Sequence, residues 1–252
     1  AGLTAAPAAR DGRAASACGR TGGSMRKIVK RLPLYLLGLM LMALGITLLN
    51  LSDLGTTPLS SIPYVLSRLL SGSALFTFGR LTLLFHTACA LAQVAVRRRV
   101  TAQILLQIPL AVVFSALLDL FGSLLSLPAP PLALRLALCA AGVALSALGI
   151  VLIVRAGLML PAPDALLHAV SERTGRPLSQ VKIAGDVLWV AVAALLSLVL
   201  LLSRGTAGFW PLLSGCFGGR LAVGVGTLIA MYFTGRLVGV FRRLPFLKAD
   251  AG

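Results

Sequence analysis

The stretch "NLSDLGTTPLSSIPYVLSRLL", Asn50 to Leu70, follows an apolar run long enough to cross a bilayer. It holds two prolines, one glycine, two threonines and four serines, yet Ile62, Tyr64, Val65, Leu66, Leu69 and Leu70 make its tail apolar. An ordinary loop carries no such tail, and an unbroken membrane helix does not begin with Gly-Thr-Thr-Pro. The stretch therefore reads as a turn followed by a short amphipathic helix. Gly55 supplies the turn. Thr57 is placed to N-cap the helix, and Pro58 takes its first position, where a missing amide proton costs nothing. The spacing predicts a helix from Pro58 to about Leu70.

The same order of features returns further along. The run beginning at Gly38, "GLMLMALGITLLNLSDLGTTPLSSIPYVLSRLLSG", aligns with "GVALSALGIVLIVRAGLMLPAPDALLHAVSERTG", which begins at Gly142. Gly38 falls on Gly142, Ala43-Leu44-Gly45 on Ala147-Leu148-Gly149, Leu54 on Leu158, Ser60 on Asp164 and Ser67 on Ser171. Each run ends at a glycine, Gly72 or Gly175, and a basic residue, Arg80 or Lys182, opens the next apolar segment. The prolines are displaced, Pro58 in the first run and Pro161 and Pro163 in the second. In the second copy, Pro163 or Asp164 is expected to open a short helix running to about Arg173. "PLAVVFSALLDLF" and "LIAMYFTGRLVGVF" extend the likeness more weakly.

Around these runs the composition is that of a membrane protein. Of the 252 residues, 58% are hydrophobic, and the mean hydropathy is +0.96. A spanning helix needs roughly 20 mostly apolar residues, and six segments qualify, at about 32–51, 78–96, 103–126, 132–154, 183–203 and 219–240. They are continuous rather than alternating, which excludes a β-barrel. The expected architecture is all-α and polytopic, with three spans in 32–126, three in 132–241, a disordered basic tail over 1–31 and a basic tail over 242–252.

The net charge of +16 is a topology signal rather than a nucleic-acid footprint. Arg26, Lys27, Lys30 and Arg31 precede the first span. Arg97, Arg98 and Arg99 lie between spans two and three, Arg173, Arg176 and Lys182 between four and five, and Arg242, Arg243 and Lys248 after six. The connections at 127–131 and 204–218 hold only Arg204 between them. By the positive-inside rule both ends face the cytoplasm. Residues 1–24, rich in Ala, Gly and Arg, lack the apolar core of a secretory signal, and Met25 followed by "RKIVKR" reads as a natural start.

Three spans per copy bring the second copy into the membrane from the opposite side, as in the inverted repeats of transporters and channels. The two short helices then read as half-helices after spans one and four, re-entering the membrane where protein or a water cavity covers their loose backbone. Their N-termini present free amides that suit a polar or anionic group. The alternative is a pair of interfacial helices or proline kinks without a ligand. The candidate substrate site is Gly55, Thr57, Pro58, Ser60, Pro161, Pro163 and Asp164.

At these residues the chain resembles the YczE/YyaS/YitT family of bacterial membrane proteins. "LGTTPLSSI" and "PAPDALL" are similar to its paired glycine–proline–aspartate motifs, and "KIAGD" (Lys182 to Asp186) to its basic-then-aspartate signature. "GVGT" (Gly224 to Thr227) with Gly235, and "QIPLAVVFSALLDLF" (Gln107 to Phe121), resemble its last-span and third-span segments. Ser60, Lys182 and Ser115 stand where that family usually has Asp, Arg and Gly. The resemblance implies a bacterial plasma-membrane location and no particular chemistry.

Ionisable residues inside spans are costly and are candidates for function. Asp119, Lys182 and Asp186 are the buried-charge candidates. Asp119 is expected to pair with Arg135 across a short turn, and Asp186 with Lys182 one helical turn away. Asp164 either caps its helix, or binds a cation or relays a proton near the midplane. His86 and Cys89 share a helix face without making a metal site, and Cys18, Cys89, Cys139 and Cys216 form no ligand cluster. No HExxH or GxSxG motif is present, so neither an enzyme nor a cofactor is expected. Two functions stay open: a secondary transporter or exporter of a small polar or anionic metabolite, and an accessory protein that stabilises or regulates a partner complex. The bilayer, an unknown small molecule and a second copy of the chain are the candidate partners, and nucleic acid is not one.

Overall fold

The computed structural model describes residues 21–70, 75–125, 131–203 and 224–241. Among them are eight helices: α1 (Thr21–Leu51), α2 (Pro58–Leu69), α3 (Phe78–Arg97), α4 (Ala102–Leu124), α5 (Leu132–Ala156), α6 (Ala162–Thr174), α7 (Leu178–Ser203) and α8 (Val225–Phe241). No strand occurs among the described residues. Segments of α1, α3, α4, α5 and α7 are long and apolar enough to cross a membrane, the pattern of a polytopic membrane protein. The outward faces of α4 and α7 carry exposed Leu105, Leu120, Ile183 and Leu195, as suits contact with lipid tails.

One boundary departs from expectation. The helix α1 begins at Thr21, so 21–31 is helical rather than part of a disordered tail. The described part of α8 has 17 residues, about 26 Å at 1.5 Å per residue. Residues 219–223 of the expected sixth span lie outside the described residues, and among those described five segments meet the length criterion for a span. The expectations for 1–20, the turn at 127–130, the connection 204–218 and the tail 242–252 lie outside the described residues.

Glycines set the tightest contact. A Cβ on Gly38 would meet the Gly149 carbonyl at 2.9 Å, and one on Gly142 would meet the Gly45 carbonyl at 2.7 Å. The early residue of α1 thus touches the late residue of α5 and the reverse, so these helices cross antiparallel with their backbones in contact, as small residues permit. On one flank of this crossing Tyr35, Leu39, Ile46, Phe114, Leu118 and Ile153 form a buried cluster joining α1, α4 and α5.

Several of the other contacts come in reciprocal pairs, although the close α3–α4 contact has no comparable α7–α8 contact among the described residues. The α3–α6 contact is matched by α7–α2, α1–α4 by α5–α8, and α2–α3 by α6–α7. The segments that lead into the short helices are held in a similar way. Leu54 O accepts from Gly226 N at 2.8 Å, and Thr56 N donates to Thr227 Oγ1 at 3.2 Å. Gly55, at φ +132° and packed against Thr227 with no room for a side chain, makes this approach possible. Across the molecule Gln107 Nε2 donates to Leu160 O at 3.4 Å and Gln93 Nε2 to Ala162 O at 3.0 Å. The two amides also pair with each other at 3.0 and 3.4 Å. Each glutamine is buried, so these bonds satisfy carbonyls that would otherwise lose their water uncompensated.

Candidate functional site

The short helices α2 and α6 begin on one cavity of about 260 Å³ lying between α1, α5 and α8. Its apolar wall is Met42, Ile46, Phe114, Ile150, Ile153, Leu160 and Val238. Its polar groups are Thr57, Ser60, His86, Ser146, Asp164, Lys182, Asp186 and Thr234. Six of the eight helices contribute at least one of these polar groups or wall residues beyond the short helices themselves.

Thr57, Pro58, Ser60, Pro161, Pro163 and Asp164, singled out in the sequence, all line this cavity. Gly55 does not; it is buried against α8 and shapes the turn instead. The caps differ in detail from expectation. Thr57 has the extended backbone of an N-cap, φ −69° and ψ 152°, but its hydroxyl makes no cap bond. Ser60 N bonds the Thr57 carbonyl at 3.0 Å instead, and Pro58 has removed one donor from the count. In the second copy Pro161 is the cap and Ala162 the first helical residue, so α6 opens one residue earlier than Pro163.

The carboxylates also choose other partners. Asp164, in the first turn of α6, makes no cap bond; its Oδ1 receives Lys182 Nζ at 2.5 Å. Lys182 was expected to pair with Asp186. It turns to Asp164 because Gly175, at φ +69°, ends α6 and reverses the chain, so that α7 packs back along α6. Asp186 lines the cavity and makes no hydrogen bond or ion pair among the described residues. Asp119 was expected to pair with Arg135. Both its oxygens are instead taken by the start of α3, where Thr77 Oγ1 and Gly79 N each donate at 2.7 Å. Gly79, with no side chain, lets α3 approach α4 this closely. Asp119 is thus a structural cap away from the cavity. Replacing it by alanine strips two charge-assisted bonds, each worth roughly 1.5–3 kcal/mol. Asp119→Ala is expected to lose about 3 kcal/mol, read as a lower Tm in detergent; an unchanged Tm would contradict the assignment.

His86, 9% exposed, stacks on Phe114 with ring centroids 5.6 Å apart and planes at 22°. Behind it Phe85 meets the edge of Trp189 at 5.2 Å. Trp189 is half-buried in this packing.

Two ion-pair clusters lie apart from the cavity. Arg68, over the Tyr64 ring, donates to its phenol at 2.6 Å and pairs with Asp53 at 3.3 Å. Burial pushes the Tyr64 phenol above 10, against the pull of Arg68, so it stays protonated at neutral pH. On the other side Arg97 and His168 each reach Glu172 at 3.1 Å, and Arg173 donates to Val96 O at 3.2 Å. These residues flank a more open cleft of about 330 Å³, floored by Gln93 and Gln107. Little in the sequence marks this cluster. Its signal was the chain's single glutamate, four residues after a histidine.

A family model described as "Family of unknown function (DUF6198)" matches residues 29–243. No curated protein and no solved structure matches the chain.

Proposed function

The chain belongs to DUF6198, a family of unknown function, and we propose that its shared body is a secondary transporter or exporter of a small polar or anionic metabolite. The observation that carries this reading is the meeting of both short-helix starts on one cavity among the long helices. We read the two copies as inverted three-helix repeats with both termini in the cytoplasm of a bacterial plasma membrane. Support comes from the reciprocal helix contacts and from the antiparallel Gly38–Gly149 and Gly45–Gly142 approach. In transporters so built, the substrate sits at the interface of the repeats, at the ends of interrupted helices. The resemblance to the YczE/YyaS/YitT family belongs to the same proposal and names no substrate.

Alternating access is the testable core. Thr57→Cys and Ile150→Cys, each in a background with Cys18, Cys89, Cys139 and Cys216 replaced by alanine, place a thiol on the cavity lining from the start of α2 and from α5. In vesicles of known orientation, a membrane-impermeant thiol reagent is expected to modify both positions from either side. Modification from neither side would leave a sealed interior and favour the accessory-protein reading.

A further inference from the structure

We infer that the cavity takes a small zwitterion, an amino-acid-like molecule carrying one ammonium and one carboxylate. This rests on the transport reading and goes on to name the substrate class. The argument begins with which charges are already spent. Lys182, the one lysine or arginine lining the cavity among the described residues, is bound to Asp164 at 2.5 Å. That pair neutralises its charge, so an anion gains less from it than from a free ammonium. Asp186, one turn further along α7, carries the remaining charge and has no hydrogen-bond partner among the described residues. It is placed to hold a cation.

The opposite wall has the opposite preference. The first turn of α2 contains no acidic residue, and its Pro58 start faces the cavity, so the positive end of the helix is uncompensated. In α6 the corresponding position holds Asp164. Ser60, which the repeat aligns with Asp164, is only 4% exposed and lines the cavity. Ser146 Oγ and Thr234 Oγ1 line the same cavity and are buried with no hydrogen-bond partner among the described residues. Buried polar groups are nearly always bonded, so orphaned hydroxyls on the cavity that the bare helix start faces point to a ligand. An anionic group fits there. The same two positions that the repeat makes equivalent have thus diverged to opposite electrostatic character. Ile46, Phe114, Ile150 and Ile153 between them suit an apolar side chain.

The test uses the full chain with Ile150→Cys, in the cysteine-replaced background, reconstituted in vesicles. The rate of thiol modification is followed with three matched probe sets at 10-fold steps of concentration: L-amino acids, their C-terminal amides, and the corresponding 2-hydroxy acids. At least one amino acid is expected to slow modification fivefold or more, while its amide and its hydroxy acid do not. Asp186→Asn is expected to abolish that protection while keeping the unprotected rate and the Tm. Protection by hydroxy acids equal to that by amino acids would overturn the zwitterion assignment and leave an anion transporter. Modification without protection by any amino acid would also overturn it, with alternating access intact. Only a thiol unreactive from both sides would remove the transport reading beneath it.

Discussion

Gly45→Ala is expected to be among the most destabilising single-methyl additions in the chain. A Cβ there would collide with Ser146 Oγ, and would lie 2.6 Å from Ser146 N and 2.7 Å from Gly142 O. Two of those three atoms are backbone, so no rotamer change makes room. Relief requires α1 and α5 to separate, and that opens the crossing about which the other helices are arranged. Overpacking a core costs ~1–3 kcal/mol, occasionally more, and a rigid backbone crossing belongs at the upper end, about 3 kcal/mol. Against a total stability of roughly 5–15 kcal/mol, that is a large fraction. The expected readout is a lowered Tm and a shift from a monodisperse to an aggregated peak in detergent. Gly122→Ala and Gly239→Ala provide the controls, because a Cβ at either meets nothing within 4 Å. Both are expected to be neutral or slightly stabilising, since alanine favours a helix over glycine by about 1 kcal/mol. If Gly45→Ala melts like these controls, the close crossing is not where stability resides.

On the proposed transport reading, Lys182→Met is expected to reduce transport at least tenfold and to lower stability together with it. Without the ammonium, Asp164 and Asp186 face one cavity as two carboxylates with no fixed cation between them. The Lys182 and Asp164 side chains are 47% and 25% exposed, which places the pair between a surface ion pair, worth ~0–1 kcal/mol, and a buried one whose disruption costs ~3–5 kcal/mol. About 2 kcal/mol is the expected loss. The double variant Lys182→Met with Asp164→Asn is the informative partner. With both charges gone, Asp186 is again the one unpaired carboxylate among the described lining residues, and stability and transport are both expected to return. A double variant that is stable but still inactive would mean that Lys182 itself touches the substrate, as an anion site requires.

The parts of this fold that were legible in the sequence are those governed by near neighbours in the chain. Long apolar runs located the helices. Gly55 and Pro58, and Pro161 with Pro163, located the two breaks, because these residues act on their own backbone. The alignment of Gly38 and Gly45 with Gly142 and Gly149 marked the residues that now form the α1–α5 crossing. Charge pairing was less legible. Arg135 and Asp186 were chosen as partners for Asp119 and Lys182 by proximity in sequence, whereas Asp119 reaches back 40 residues to Gly79 and Lys182 18 residues to Asp164. Local spacing fixes a helix face, but it does not say which other helix that face meets. Gln93 and Gln107 were passed over for a related reason. A lone amide in an apolar helix looks incidental until the carbonyls of Leu160 and Ala162 arrive from the other half of the chain.

The bond from Thr56 to Thr227 spans 171 residues, and this has a consequence for how the protein is made. A ribosome adding about 5–20 residues per second needs roughly 9–34 s after Thr56 to produce its acceptor. Through that interval the first copy sits in the insertion machinery with the turn at Gly55 still waiting for α8. Nascent chains stopped before residue 224 are therefore expected to be protease-sensitive at 52–57, and quality-control factors have a window in which to discard them. Resistance is expected only once α8 is delivered.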